Sequence, residues 1–195
     1  MITEATADDE RREVQVLFES VFGDIDAHAV PPTRSDHLYA PLVLRYHDPD
    51  TGTLAGALLA CRAQIAVSAQ MIGGRLPGGP DYRGVLDKHR ELDLMAVTPP
   101  FRSRGIGSAL LTTARELLAA RGVRVWFGNA TEDLNVERLR HFYTTHGFTV
   151  LHPGQSLPPL LGRQWTMPNV HPKPAFYFYG RLVGTGASTA PTGPA

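Results

Sequence analysis

An alternating run, Leu92-Asp93-Leu94-Met95-Ala96-Val97, stops at Pro99-Pro100 and leads through Arg102-Ser103-Arg104-Gly105-Ile106-Gly107 into a helical run over 108–120. The hydrophobic period changes from two to near 3.6 across a short glycine-bearing turn, so a strand must feed a helix N-terminus directly. Such a junction suits an anion. Glycines let main-chain N–H groups approach a ligand unobstructed. The helix start contributes unpaired donors and a positive dipole end. Arg102 and Arg104 add charge and forked donors for phosphate oxygens. A phosphate-bearing ligand is the functional expectation, and an ordinary strand–helix turn with solvated arginines is the plainer one.

Two familiar phosphate motifs do not fit. A Walker A loop requires a lysine followed by Ser or Thr after its second glycine, and no lysine follows here. A dinucleotide fingerprint requires a third glycine where this chain has Leu110, and it belongs to a first strand–helix turn. The pattern present is Arg-x-x-Gly-x-Gly after Leu-x-x-Met-Ala-Val-x-Pro. Downstream, 123–127 reads as a strand rich in β-branched and aromatic residues. A helical run then ends in Phe142-Tyr143-Thr-Thr-His-Gly147-Phe148.

On these residues the chain resembles the Gcn5-related N-acetyltransferase (GNAT) family, most strongly over 91–148. The resemblance implies an α/β (α+β) fold with a mixed, mostly antiparallel sheet of six to seven strands, flanked by helices and splayed at its centre. It implies acetyl-coenzyme A as cosubstrate, with its pyrophosphate gripped by Arg102, Ser103, Arg104, Gly105, Ile106, Gly107 and Ser108. Its pantetheine arm would lie along Met95, Ala96 and Val97, mainly on the N–H and C=O groups of Met95 and Val97. The family usually places an Asn seven residues before its Tyr. That position holds Val136, and Asn135 is one residue earlier. Tyr143 matches the family's tyrosine, which protonates the departing thiolate; a phenol near pKa 10 is close enough to a thiol to do so. Glu91 lies six residues before Val97, where some histone-acetylating members carry a glutamate, and is the candidate base for the amine. Asp93 shares its face. Glu91 as a solvated strand end, and a water chain with no single base, stand beside that reading.

The implied function is direct acetyl transfer to a primary amine of a small molecule or peptide. The alternative is a coenzyme A-binding sensor or interaction module without turnover; longer acyl chains also remain open. At 195 residues, one domain over 1–183 with a disordered Gly/Ser/Thr/Pro/Ala-rich tail over 184–195 is expected. Nineteen basic and 19 acidic residues balance, which argues against a nucleic-acid partner. No apolar run reaches a membrane span, and the polar N-terminus does not read as a signal peptide, so a cytoplasmic location is expected. The single Cys61 excludes an intramolecular disulfide and reads as a small buried hydrophobe. The eight histidines show no zinc-ligand spacing, so no metal is expected, and His89 and His141 read as surface or satisfied core residues. The family often dimerises, which makes a homodimer one expectation.

Along the chain, 2–5 reads as a short strand, and Thr6 or Asp8 as the cap of a helix burying Val14, Leu17, Phe18 and Val21. A short helix over 35–39 and a hairpin of 42–46 with 53–63 about an Asp-Pro-Asp-Thr-Gly turn follow. The run 64–72 reads as strand or helix, and 73–80 as a glycine-rich loop. Strict alternation puts Glu91, Asp93, Met95 and Val97 on one face of their strand, with Leu92, Leu94 and Ala96 on the other. Leu134, Leu139 and Phe142 mark the buried face of a later helix, and 149–151 and 175–182 read as the last strands. A proline-rich loop, 153–174, separates those strands. Trp165, Phe176 and Tyr177 either line an acceptor pocket or pack in core and rim.

Overall fold

The computed structural model describes residues 1–62, 86–131, 135–161 and 174–182. The 64–72 run, the 73–80 loop, Leu134, Trp165 and the 184–195 tail lie outside the described residues.

Seven strands form one sheet in the order β1-β2-β3-β4-β5-β7-β6. They are β1 (Ile2–Glu4), β2 (Leu42–His47), β3 (Leu54–Cys61), β4 (His89–Val97), β5 (Val125–Thr131), β6 (Thr149–Val150) and β7 (Pro174–Arg181). The β4–β5 pair is parallel, and every other pair is antiparallel. One face carries α1 (Asp8–Phe22), packed through Val14, Leu17 and Phe18 onto Val43, Ala57, Leu59 and Ala96. The other carries α3 (Ile106–Ala120) and α4 (Val136–Thr145), over Leu58, Leu92, Trp126 and Phe178. A four-residue helix, α2 (Asp36–Tyr39), follows a 3-10 turn.

The hairpin turn forms as its composition dictates. The Asp48 carboxylate accepts the N–H groups of Asp50 and Thr51 at 3.1 and 3.0 Å, and Gly52 takes φ 69°. The start of α1 differs from the sequence expectation. Neither Thr6 nor Asp8 caps it. Ala7 is the N-cap, and Glu10 reaches back to accept the Thr6 and Ala7 N–H groups at 2.7 and 3.1 Å. Asp8 instead accepts from the Thr33 N–H at 2.7 Å, tying α1 to the following loop.

The alternation read for β4 also fails, and its failure shapes the sheet. Leu59 pairs with Leu94 while the next residue, Ala60, pairs with Leu92, so Asp93 is an extra residue against β3. This β-bulge shifts the side-chain phase by one. Leu92 therefore packs on the α3 side with Met95 and Val97, while Leu94 and Ala96 pack on the α1 side. Glu91 is paired with Cys61 on β3 and Phe127 on β5.

Candidate functional site

The bulge coincides with the end of β4–β5 pairing. The last parallel pair is Leu92 with Gly128. Beyond it β5 stays bonded to β7 through Asn129 and Ala130, and β4 stays bonded to β3, so the two central strands part. The Thr98 N–H donates to the Ala55 carbonyl at 3.0 Å. Main-chain groups alternate sides along a strand, so Ala96 also faces β3, while Met95 and Val97 turn theirs towards the parting. Of the three β4 residues expected to hold the pantetheine arm, Ala96 therefore has its main chain engaged and its side chain buried in the α1 cluster. In this structure the Val97 carbonyl accepts from Arg102 Nε at 3.0 Å.

Immediately beyond β4, the turn is exposed from Arg102 to Gly105. Ser103 and Gly105 adopt φ 64° and 78°. A side chain at Gly105 would meet nothing within 4 Å, so glycine is required there by backbone conformation rather than by space. The first helical bond of α3 runs from the Ala109 N–H to the Gly105 carbonyl. The N–H groups of Ile106, Gly107 and Ser108 precede it and have no intrahelical acceptor. Successive open N–H donors at the positive end of a 15-residue helix form a concave anion cradle. Arg104 lies over the Phe101 ring at 5.0 Å.

A third arginine joins from α4, where Arg138 Nη2 donates to Ser103 Oγ at 3.1 Å. Local sequence carries no sign of this. It follows from α4 packing over the α3 start, where a Cβ at Gly107 would stand 3.4 Å from the Phe142 ring. Asn135 is the N-cap of α4, and its side-chain oxygen accepts from the Arg138 N–H at 3.1 Å. That oxygen holds the helix carrying Arg138.

Tyr143 is buried, its ring stacked on Phe178 at 3.8 Å and 16°. The Phe148 N–H donates to the Tyr143 carbonyl at 3.1 Å, the Gly147 N–H donates to the Thr144 carbonyl at 3.0 Å, and Gly147 has φ 77°. This is a Schellman cap, completed by the Tyr143–Phe148 ring contact at 5.7 Å. The spacing of Tyr143 to Gly147-Phe148 is thus a helix-ending device that also fixes the phenol. Among the described residues no side chain or main-chain group hydrogen-bonds its hydroxyl. Burial pushes the phenol well above its ordinary value, which keeps it protonated.

The solvated strand-end reading of Glu91 is overturned: the residue is 4% exposed, within the sheet. Asp93, in the bulge, is half-buried, and desolvation raises its carboxyl from 3.8 to about 6. Burial, with the Asp93 and Glu91 charges behind it, pushes the Cys61 thiol up as well, so Cys61 is an inert core residue. His89 is fully buried with Nε2 3.3 Å from the Leu160 carbonyl, and His141 is exposed. Phe176 packs in the main core, and Tyr177 against the Phe127 cluster, where burial and then the Glu91 charge raise its phenol.

Residues 58–150 match the family model described as an acetyltransferase (GNAT) domain. This segment is a GNAT domain. No curated protein matches the chain. Among solved structures, the chain is similar to a GNAT-family acetyltransferase from Staphylococcus aureus Mu50, with 15% identity, TM-score 0.60, and 94% of this chain and 99% of that one covered. An N-acetyltransferase structure from Lactobacillus plantarum gives 16% identity, TM-score 0.57, and 94% and 98% coverage. An aminoglycoside 6'-N-acetyltransferase complexed with coenzyme A gives 12% identity, TM-score 0.56, and 94% and 97% coverage. These likenesses establish the GNAT fold with its seven-stranded sheet. The GNAT segment contains β4, the anion cradle, Tyr143 and both acidic residues, so every residue singled out from the sequence as catalytic or cosubstrate-binding lies inside it.

Proposed function

We propose that the chain is an acyltransferase that moves an acetyl group from acetyl-coenzyme A to a primary amine of a small molecule or peptide. The observation that carries this reading is the continuity of two features: strands parted at the Asp93 bulge, and a cradle of open N–H donors and arginines directly beyond. A diphosphate fits the cradle and an extended amide-bearing arm fits beside β4. The coenzyme A complex of a similar fold supports the same ligand.

Acetyl-coenzyme A, when bound, supplies the acetyl group as a thioester. The chain's own groups do the rest. Main-chain donors of β4 orient and polarise the carbonyl. Asp93 accepts the proton that the amine must lose; an acid near 6 is ionised at neutral pH yet basic enough to work there. Glu91, two residues earlier on β4, is the second carboxylate of this strand. Tyr143 donates its hydroxyl proton to the departing thiolate sulfur.

The buried, raised phenol is a weaker acid than an exposed one, and this favours the second reading, a coenzyme A-binding module without turnover. A thiol-release assay with acetyl-coenzyme A and a panel of polyamines, amino sugars and peptides separates the two. Amine-dependent thiol release supports the enzyme. Tight coenzyme A binding with no release across the panel supports the module. Absence of binding removes both.

A further inference from the structure

A cavity of about 270 Å³ lies at the far end of the sheet, lined by Glu4, Thr6, Arg11, Asp36, Arg90 and Arg121. Arg121 caps the C-terminus of α3, whereas the anion cradle opens at its N-terminus. Fifteen residues of helix separate the two ends by about 22 Å. The cavity is therefore distinct from the site above.

Its charges do not balance. Arg11 is held by Asp36 through both guanidinium ends, at 2.5 and 3.1 Å. Arg121 Nη2 reaches both Glu4 oxygens, at 2.8 and 2.6 Å. Arg90 is 6% exposed, and no carboxylate pairs with it among the described residues. Its Nη1 donates to the Asp87 and His89 carbonyls at 3.3 and 2.8 Å, and its buried Nε has no hydrogen-bond partner among the described residues. The Asp87 carboxylate, whose charge acts on Arg90, is taken by Arg62. A guanidinium stays charged in proteins, and burying one without a counter-charge is costly. Arg90 is thus a sequestered cation beside open space, with Arg11 and Arg121 also lining it.

We propose that this cavity binds the phosphoryl group of inorganic phosphate or of a small phosphomonoester. Arg90 supplies the unneutralised charge and Arg121 a second forked donor as Glu4 gives way. Two resident carboxylates against three arginines leave room for one anion's charge, which tetrahedral oxygens can share between two guanidinium groups.

The test is a titration of the full chain at constant ionic strength, followed by amide shifts in two-dimensional NMR. Inorganic phosphate is one arm and glycerol 3-phosphate the other. Saturable shifts at Thr6, Arg11, Arg90 and Arg121 are expected in at least one arm, and the tighter arm identifies the source. Arg90→Gln should weaken binding about tenfold. Glu4→Gln, which removes the internal competitor for Arg121, should tighten it about threefold. Should Arg90→Gln not fold, Arg121→Gln replaces it, with weakening again expected. Shifts confined to 102–108 in both arms, or wild-type affinity in the folded arginine variant, would overturn the proposal.

Discussion

Replacing Asp93 by Asn should make the protein more stable and less active at the same time. Desolvation in the bulge raises this carboxyl from 3.8 to about 6. The folded state therefore holds the proton more tightly than the unfolded state does. Its contribution is complete below pH 4 and is lost as pH rises through about 6. At about 1.4 kcal/mol per pH unit, that loss reaches about 3 kcal/mol. Asp93 keeps part of its surface in water, and Asn leaves a polar amide in its place, so we expect a net gain of about 1–2 kcal/mol above pH 7. For a chain of this size that raises the melting temperature by about 3–6 °C. Calorimetric melts of wild type and Asp93→Asn across pH 4.5 to 8 read it directly, and the gap should widen with pH. In parallel, amine-dependent thiol release should fall by about a hundredfold, and in the wild type it should rise with pH through about 6. A gap that does not change with pH, or a less stable variant at pH 8, would refute the desolvation argument. Unchanged turnover would move the base to Glu91 or to water.

Tyr143→Phe keeps the ring that stacks on Phe178 and removes a hydroxyl that has no hydrogen-bond partner among the described residues. Turnover should fall by about 10–100-fold with coenzyme A affinity intact, and an unchanged rate would end the proton-donor role. Arg104→Glu reverses a charge at the cradle and should weaken coenzyme A binding, measured by calorimetry, by about tenfold or more. Equal affinity would remove the pyrophosphate assignment. Gly128→Ala would set a Cβ 2.7 Å from the Phe178 ring and 3.0 Å from the Leu92 carbonyl. Overpacking at the last β4–β5 pair should cost about 1–3 kcal/mol in denaturant unfolding. Because Phe178 carries Tyr143, turnover should fall with it; wild-type stability would show that the strands yield there freely.

The strand–turn–helix unit was legible because its signals are local. Alternation over 92–97, a glycine-bearing turn and helical spacing from Ile106 to Leu118 each sit within one window of sequence. The Tyr143 to Gly147-Phe148 spacing was legible for a reason that only the structure supplies, since helix caps are also local. What escaped depends on pairing between distant segments. The bulge at Asp93 exists only relative to β3, so strict alternation set Leu92 on the face opposite Met95 and Val97, which it in fact shares with them. Glu91 looked like a strand end because β4 begins two residues earlier, at His89, between two neighbours that sequence does not reveal. Arg138 and Arg90 took their places through packing of α4 and through the closing of the far end of the sheet.

The opening between β4 and β5 is a matter of counting. One surplus position in a single strand stands where the pairing ends, so substitutions at 93 change the chemistry beside the gap and keep the register, whereas loss of that position would slide β4 by one residue against β3. The proposed proton acceptor and the register of the strand beside the gap are thereby lodged in the same residue but depend on different properties of it: identity for one, mere presence for the other.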